Sequence, residues 1–281
     1  MNVGAAKRKY SERSLRDALE ALYTRYNRRD FVAPDPLEYV YAYERVEDRE
    51  VAALVASSLA FGNVRQIGKS VVRALAPLGH APADYIRDVS EEELGTAFRG
   101  FKHRWIRGED MIQMLLGVGG AMKEYGSLGR LFCSKLDDSD RDVLPALSRF
   151  VEDVYGRSRG FRSCLLPSPE AGSACKRLHL FLRWLVRRDG VDPGGWDGVS
   201  PSMLVVPLDV HMFRICGELG LTERRQADCR AAREVTDGFR RLSPDDPVKY
   251  DFALTRLGIR KDEDQAVFVR MLGLERAVQL S

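Results

Sequence analysis

Apolar positions along this chain recur at intervals of three and four far more often than at two, a period that predicts helices. Residues 11–26 open with Ser11, a capping residue type, and then place Leu15, Leu19, Leu22 and Tyr23 on one face. Residues 51–60 are apolar nearly all round, as expected of a helix at the buried centre of a helical layer. Asp48 is its predicted cap, and Phe61-Gly62-Asn63 its stop signal. Further helices are predicted over 64–78, 91–98, 110–125, 142–155, 173–188, 210–219 and 227–242, whereas strand-type alternation is confined to 203–206. No internal repeat, low-complexity stretch or visible domain boundary interrupts the pattern. The expectation is one all-α unit over residues 1–281, with residues 1–10 disordered. Two loops concentrate the chain breakers: 166–172, with Pro167 and Pro169, and 190–201, with Asp192-Pro193-Gly194-Gly195. Both flank the helix predicted over 173–188, and irregular backbone held by rigid elements is where function tends to reside.

Composition narrows the picture only a little. Hydrophobic residues make up 44% and charged residues 30%, ordinary values for a globular chain. Lys and Arg number 44 against 41 Asp and Glu, so any affinity for nucleic acid must come from local patches, not from net charge. No run of about twenty apolar residues exists to span a bilayer. Lys7-Arg8-Lys9 precede no apolar stretch of the secretory kind, so a cytoplasmic protein without a membrane partner is expected. The five cysteines are scattered and none lies in a C-x-x-C pair. That spacing suggests neither a disulfide framework nor a zinc or iron–sulfur site, and no metal or cofactor is expected.

Candidate chemistry clusters in two segments. The first runs from Gly172 to Trp184. Ser173 is a predicted N-cap, which puts Lys176 and Arg177 in the first helical turn, where cations oppose the helix dipole. A compensating anion or a chemical role would explain that placement. Backbone N–H groups at a Gly-led helix start can hold a phosphate, and the positive end of a helix favours a neutral amine, the form that attacks an electrophile. The competing explanation is a plain solvated face carrying Lys176, Arg183 and Arg187. The second segment is Pro207-Leu208-Asp209-Val210-His211, in which Asp209 caps the next helix and Leu208 and Phe213 have the spacing of a hydrophobic staple. Capping alone would account for Asp209. A carboxylate held at a helix start also stays ionised, which suits it to stabilise a developing cation. Around these, His211, Trp184 and Phe181 are candidates for a base pocket, each with core packing or a structural role as the alternative. Residues 98–107 mix Arg99, Lys102, Arg104 and Arg107 with three aromatics and no acid, a composition able to track phosphates and stack bases. Asp246 to Phe252 reads as a capped helix start.

Taken together, a Gly-led loop, a helix bearing Lys176 and a Pro-x-Asp segment ending in Asp209 resemble the helix–hairpin–helix DNA glycosylase superfamily. Lys176 and Asp209 are thirty-three residues apart, longer than the usual interval there and similar to that of the archaeal 8-oxoguanine glycosylases. From Asp35-Pro36-Leu37 to Lys249-Tyr250-Asp251-Phe252 the chain also looks like an uncharacterised bacterial family of conserved hypothetical proteins with similar "GSACKRL", "PLD-H" and "DPVKYDFAL" segments. The resemblance implies two helical lobes with the active site between them, and a monomer acting on double-stranded DNA that carries a damaged base. It implies Lys176 as the nucleophile and Asp209 as its electrostatic and proton-transfer partner, with AP lyase activity through a Schiff base. Gly172, Ser173, Arg177, Arg99, Lys102 and Arg104 would contact the DNA. The hairpin departs from the superfamily pattern, being Pro-rich instead of two glycines around one apolar residue. A non-catalytic helical DNA- or RNA-binding protein, and an unrelated helical interaction protein, are the competing readings.

Overall fold

The computed structural model describes residues 10–158, 163–259, 268 and 272, and its regular elements are almost all helical. In chain order they are α1 (Glu12–Tyr26), α2 (Val46–Ser58), α3 (Val64–Leu75), α4 (Pro82–Asp88), α5 (Glu91–Ala97), the two-residue strands β1 (Lys102–His103) and β2 (Ile106–Arg107), and α6 (Gly108–Tyr125). Then follow α7 (Leu128–Ser134), α8 (Leu144–Arg157), α9 (Lys176–Val186), α10 (Val210–Glu218), α11 (Cys229–Arg240) and α12 (Asp251–Ile259). The two strands pair as an antiparallel hairpin, Lys102 opposite Arg107 and His103 opposite Ile106. Of the stretch 1–10 only Tyr10 falls within the described residues. Its hydroxyl donates to the carbonyl of Leu219, and the expectation of disorder for the residues before it lies outside the described residues.

The all-round apolar segment does become the centre of the molecule. α2 packs on α4, on α9 and on the 3-10 turn Pro36–Ala42. Asp48, however, lies inside α2 and does not cap it. Its buried carboxylate accepts from the Ala83 N–H (2.9 Å), one of the otherwise orphaned amides at the start of α4. Glu50 does the same for α7, accepting from the N–H groups of Leu128 and Gly129 (2.8 Å each) and from the Trp196 indole (2.7 Å). Burial pushes the Glu50 carboxyl up to about 7 despite these three donors. Helices α4 and α7, of seven residues each, are missing from the sequence-based reading.

α6 packs against α8 and α4 through glycines. A Cβ on Gly117 would lie 2.2 Å from the Val154 carbonyl oxygen, and one on Gly119 would lie 2.1 Å from that of Ile86. Only a side chain of hydrogen allows so close an approach. At the other end of the molecule α1 and α10 pack on α12. Lys249 and Tyr250 just before α12 bind the Glu20 carboxylate of α1 (2.7 and 2.6 Å).

The predicted strand 203–206 is not one. Residues 201–203 form a 3-10 turn, and the buried extended stretch after it pairs with helices: Val206 N–H donates to the Thr236 hydroxyl (3.0 Å), and Val143 N–H to the Met203 carbonyl (3.0 Å). Side-chain and loop partners thus satisfy buried backbone that has no neighbouring strand. Among the described residues no helix is long and apolar enough to cross a membrane.

Candidate functional site

The N-terminus of α9 begins three residues later than predicted. Ser173 does not cap the helix; its hydroxyl accepts from the Cys175 N–H (3.2 Å), and Cys175 stands at the cap position with a left-handed backbone (φ 44°). That conformation is costly for a residue with a Cβ. It is held by the buried Cys175 thiol, which lies 3.4 Å from the Pro167 carbonyl, and by the Leu178 and His179 N–H groups on the Cys175 carbonyl. The sharp step makes Lys176 the first helical residue. Its ammonium then reaches Asp209, Nζ to Oδ2 at 2.7 Å.

Asp209 does two things at once. Oδ1 accepts from the Met212 N–H (2.8 Å) and so caps α10, while Oδ2 takes the lysine. Burial works to raise its carboxyl, but the Lys176 charge and the hydrogen bonds from Lys176 and Met212 outweigh it, and the group is held below the usual carboxylate range. The pair remains open to solvent, with side chains 33% and 29% exposed.

Lys176 and Asp209 line a cavity of about 100 Å³. Its other walls come from the 3-10 turn at Pro36, from Ile67 of α3, from Leu180 and Arg183 of α9, and from Asp251, Phe252 and Thr255 of α12. The back of the cavity is an ionic core. Arg183 binds Asp192 and Asp251, and Arg187 binds Asp192, Asp189 and Asp246. Both guanidiniums are buried, so these arginines do not form the solvated face offered as an alternative for Lys176. His179, between them and the lysine in sequence, is also buried, and its ring nitrogens meet no partner among the described residues. Burial pushes its pKa down to about 4.

The remaining candidates divide. Phe181 and Trp184 are fully buried: Phe181 packs on Phe150 and edge-on to Trp196, and neither lines the cavity, so the base-pocket expectation gives way to core packing. His211 is exposed and off the cavity wall, although its charge lies close enough to help lower Asp209. Gly172 and Ser173 are exposed but tied to the start of α11, Gly172 accepting from Cys229 N–H (3.1 Å) and Ser173 bridging to Asp228. An acidic neighbour there disfavours the phosphate that the sequence suggests. Arg177 turns inward, donating to the carbonyls of Ser58 (2.7 Å) and Cys164. Arg99, Lys102 and Arg104 are all exposed, around the hairpin.

Residues 35–260 match the family described as "Protein of unknown function (DUF2400)". The chain belongs to the DUF2400 family. No curated protein and no solved structure matches it.

All the cavity-lining residues, from Asp35 to Thr255, fall inside the DUF2400 span, whereas α1 lies outside it. The sequence-based reading missed Asp251 and Arg183 as wall residues. Asp251 had been folded into a helix start and Arg183 into a solvated stripe; the only available signal was the density of Asp around 189–192 and 245–251, which needs matching cations. Trp105 belongs to the basic-aromatic stretch 98–107 that the sequence offers for base stacking, whereas Phe61 reads there only as part of a helix stop.

Proposed function

We propose that this DUF2400 protein is a DNA glycosylase, with attendant AP lyase capacity, acting on double-stranded DNA that carries an oxidised base such as 8-oxoguanine. The reading includes a helix–hairpin–helix arrangement: α2 to α9 form one lobe, α1 and α10 to α12 the other, with the cavity between them. The observation that carries it is the 2.7 Å Lys176–Asp209 pair, each member at the start of its own helix and both facing one cavity. A target nucleotide flips out of the duplex and displaces water from the pair. Asp209 takes the proton from Lys176, and Nζ bonds to the sugar C1′ as the C1′–N bond breaks. The base leaves with that electron pair and with the proton that Asp209 took up, which returns Asp209 to its carboxylate form. Asp209 is also placed to stabilise the positive charge that develops on the sugar. Opening of the sugar ring gives the imine from which strand cleavage by elimination follows. No cofactor enters this chemistry.

The cavity is smaller than the roughly 300–1,000 Å³ of most ligand pockets, so rim side chains must move to admit a nucleotide. That small volume favours one alternative, a non-catalytic helical DNA- or RNA-binding protein in which the pair is only structural. Borohydride reduction separates the two. The purified protein should be trapped covalently on a duplex containing a single 8-oxoguanine, and Lys176→Gln should abolish the adduct while binding persists. Asp209→Asn should slow excision at least about a hundredfold. An undiminished adduct in Lys176→Gln, or no adduct from the parent on any single-lesion duplex, would overturn the proposal.

A further inference from the structure

One exposed cluster beside the cavity has no part in the chemistry above. The turn between α2 and α3 presents Phe61, and the tip of the β1–β2 hairpin presents Arg104 and Trp105. The Trp105 indole is 58% exposed and stacked on Phe61, ring centres 4.9 Å apart and planes 27° from parallel. Arg104 lies over the indole at 4.8 Å, and Arg177 over the Phe61 ring at 4.9 Å. The cluster is rigidly held. Trp105 Nε1 donates to the Cys164 thiol (3.0 Å), and His103 spans the Ser70 hydroxyl (2.9 Å) and the Phe61 carbonyl (3.1 Å). Arg104 has a left-handed backbone (φ 54°), and its side chain lies close against Gly62, where a Cβ would sit 3.1 Å from Arg104 Cδ. Backbone strain at an exposed, ordered position belongs with sites that present a side chain to a ligand.

A large aromatic held half out of the surface, with Arg104 over it and exposed Lys102 and Arg107 on the same hairpin, matches what single-stranded nucleic acid requires. Phe61 backs the indole on one face; a base takes the other as the Arg104 side chain swings from the ring to the phosphates. The cluster also adjoins the site: Phe61 follows Ala60 of the cavity wall, and Arg177 follows Lys176. We infer that Trp105, backed by Phe61 and Arg104, is a stacking platform for a nucleobase unstacked from its strand next to the cavity. This inference deepens the glycosylase reading and rests on it, but its test does not depend on catalysis.

Trp184 and Trp196 are buried, so quenching of tryptophan emission by an added strand reports on Trp105. The probes are an eight-nucleotide oligo-dT and an abasic strand of the same length and charge. The protein should bind oligo-dT with quenching, and roughly 5- to 150-fold more tightly than the abasic strand, the range expected of one stacked base. Trp105→Ala should bring the two affinities together, and Trp105→Phe should restore part of the preference. Equal affinity of the parent for both strands, absence of binding to either, or a Trp105→Ala protein that keeps its preference overturns the platform. Loss of the platform with borohydride trapping intact leaves the glycosylase standing. Loss of trapping with the base preference intact removes the glycosylase and leaves a strand-binding protein.

Discussion

The two ends of α9 carry the same kinds of ion pair and treat them in opposite ways. At its start Lys176 meets one carboxylate, Asp209, and both are about one-third exposed. At its other end Arg183 and Arg187 share Asp189, Asp192, Asp246 and Asp251 among them, with Asp192 fully buried. Burial and multiplicity separate the roles. Buried guanidiniums that each hold more than one carboxylate are committed to structure, since removing a partner breaks a buried ion pair. A lone ammonium at a cavity wall keeps the mobility and solvent access that a nucleophile needs. His179, between them in sequence, is buried, and burial pushes its pKa down to about 4.

That contrast breaks most sharply at Asp192. Asp192→Ala should cost about 3–5 kcal/mol, because it removes the one carboxylate that both buried guanidiniums share; urea unfolding that shifts by less than about 1 kcal/mol would show the ionic core to be dispensable. Next in size is the pH response of His179. Its pKa is depressed, so its contribution is complete above the unfolded value near 6.5 and is lost as pH falls from there toward 4. Over that window the unfolded chain takes up a proton the folded one refuses, and the slope from this group is at most about 1.4 kcal/mol per pH unit. His179→Leu should flatten the dependence of unfolding free energy between pH 4 and 6.5, and an unchanged slope would mean that the ring is protonated in place. The smallest effects belong to the open pair. Asp209→Ala should lose the α10 cap at about 1 kcal/mol, and Asp209→Asn should stay within roughly 0.5 kcal/mol of the parent, since Asn caps as well as Asp. Lys176→Gln should cost about 0–1 kcal/mol, the range of a solvent-exposed pair. A loss from Lys176→Gln as large as that from Asp192→Ala, read by the same urea titration, would erase the distinction between the two ends of the helix.

The sequence by itself determined the helical class, the central helix α2 and the cap at Asp209, because period and capping are local properties that three or four neighbouring residues express. It also singled out Lys176 and Asp209, each from its own surroundings. Only the tertiary structure decided that they touch, since a 2.7 Å contact across thirty-three residues depends on how α9 and α10 are packed. The same holds for what was misread. Asp48 reads as the cap of its own helix, yet it caps α4, as Glu50 caps α7, whose orphaned amides reach them only in the packed molecule. Phe181 and Trp184 share a helix with Lys176, and nothing in their spacing tells pocket from core. Arg183 and Arg187 repeat on one side of that helix as surface cations would, until Asp189 and Asp192 of the following loop, with Asp246 and Asp251 at the approach to and start of α12, close over them. Local free energies select the elements; which polar group is buried, and with whom, is settled by long-range packing that no single stretch of chain encodes.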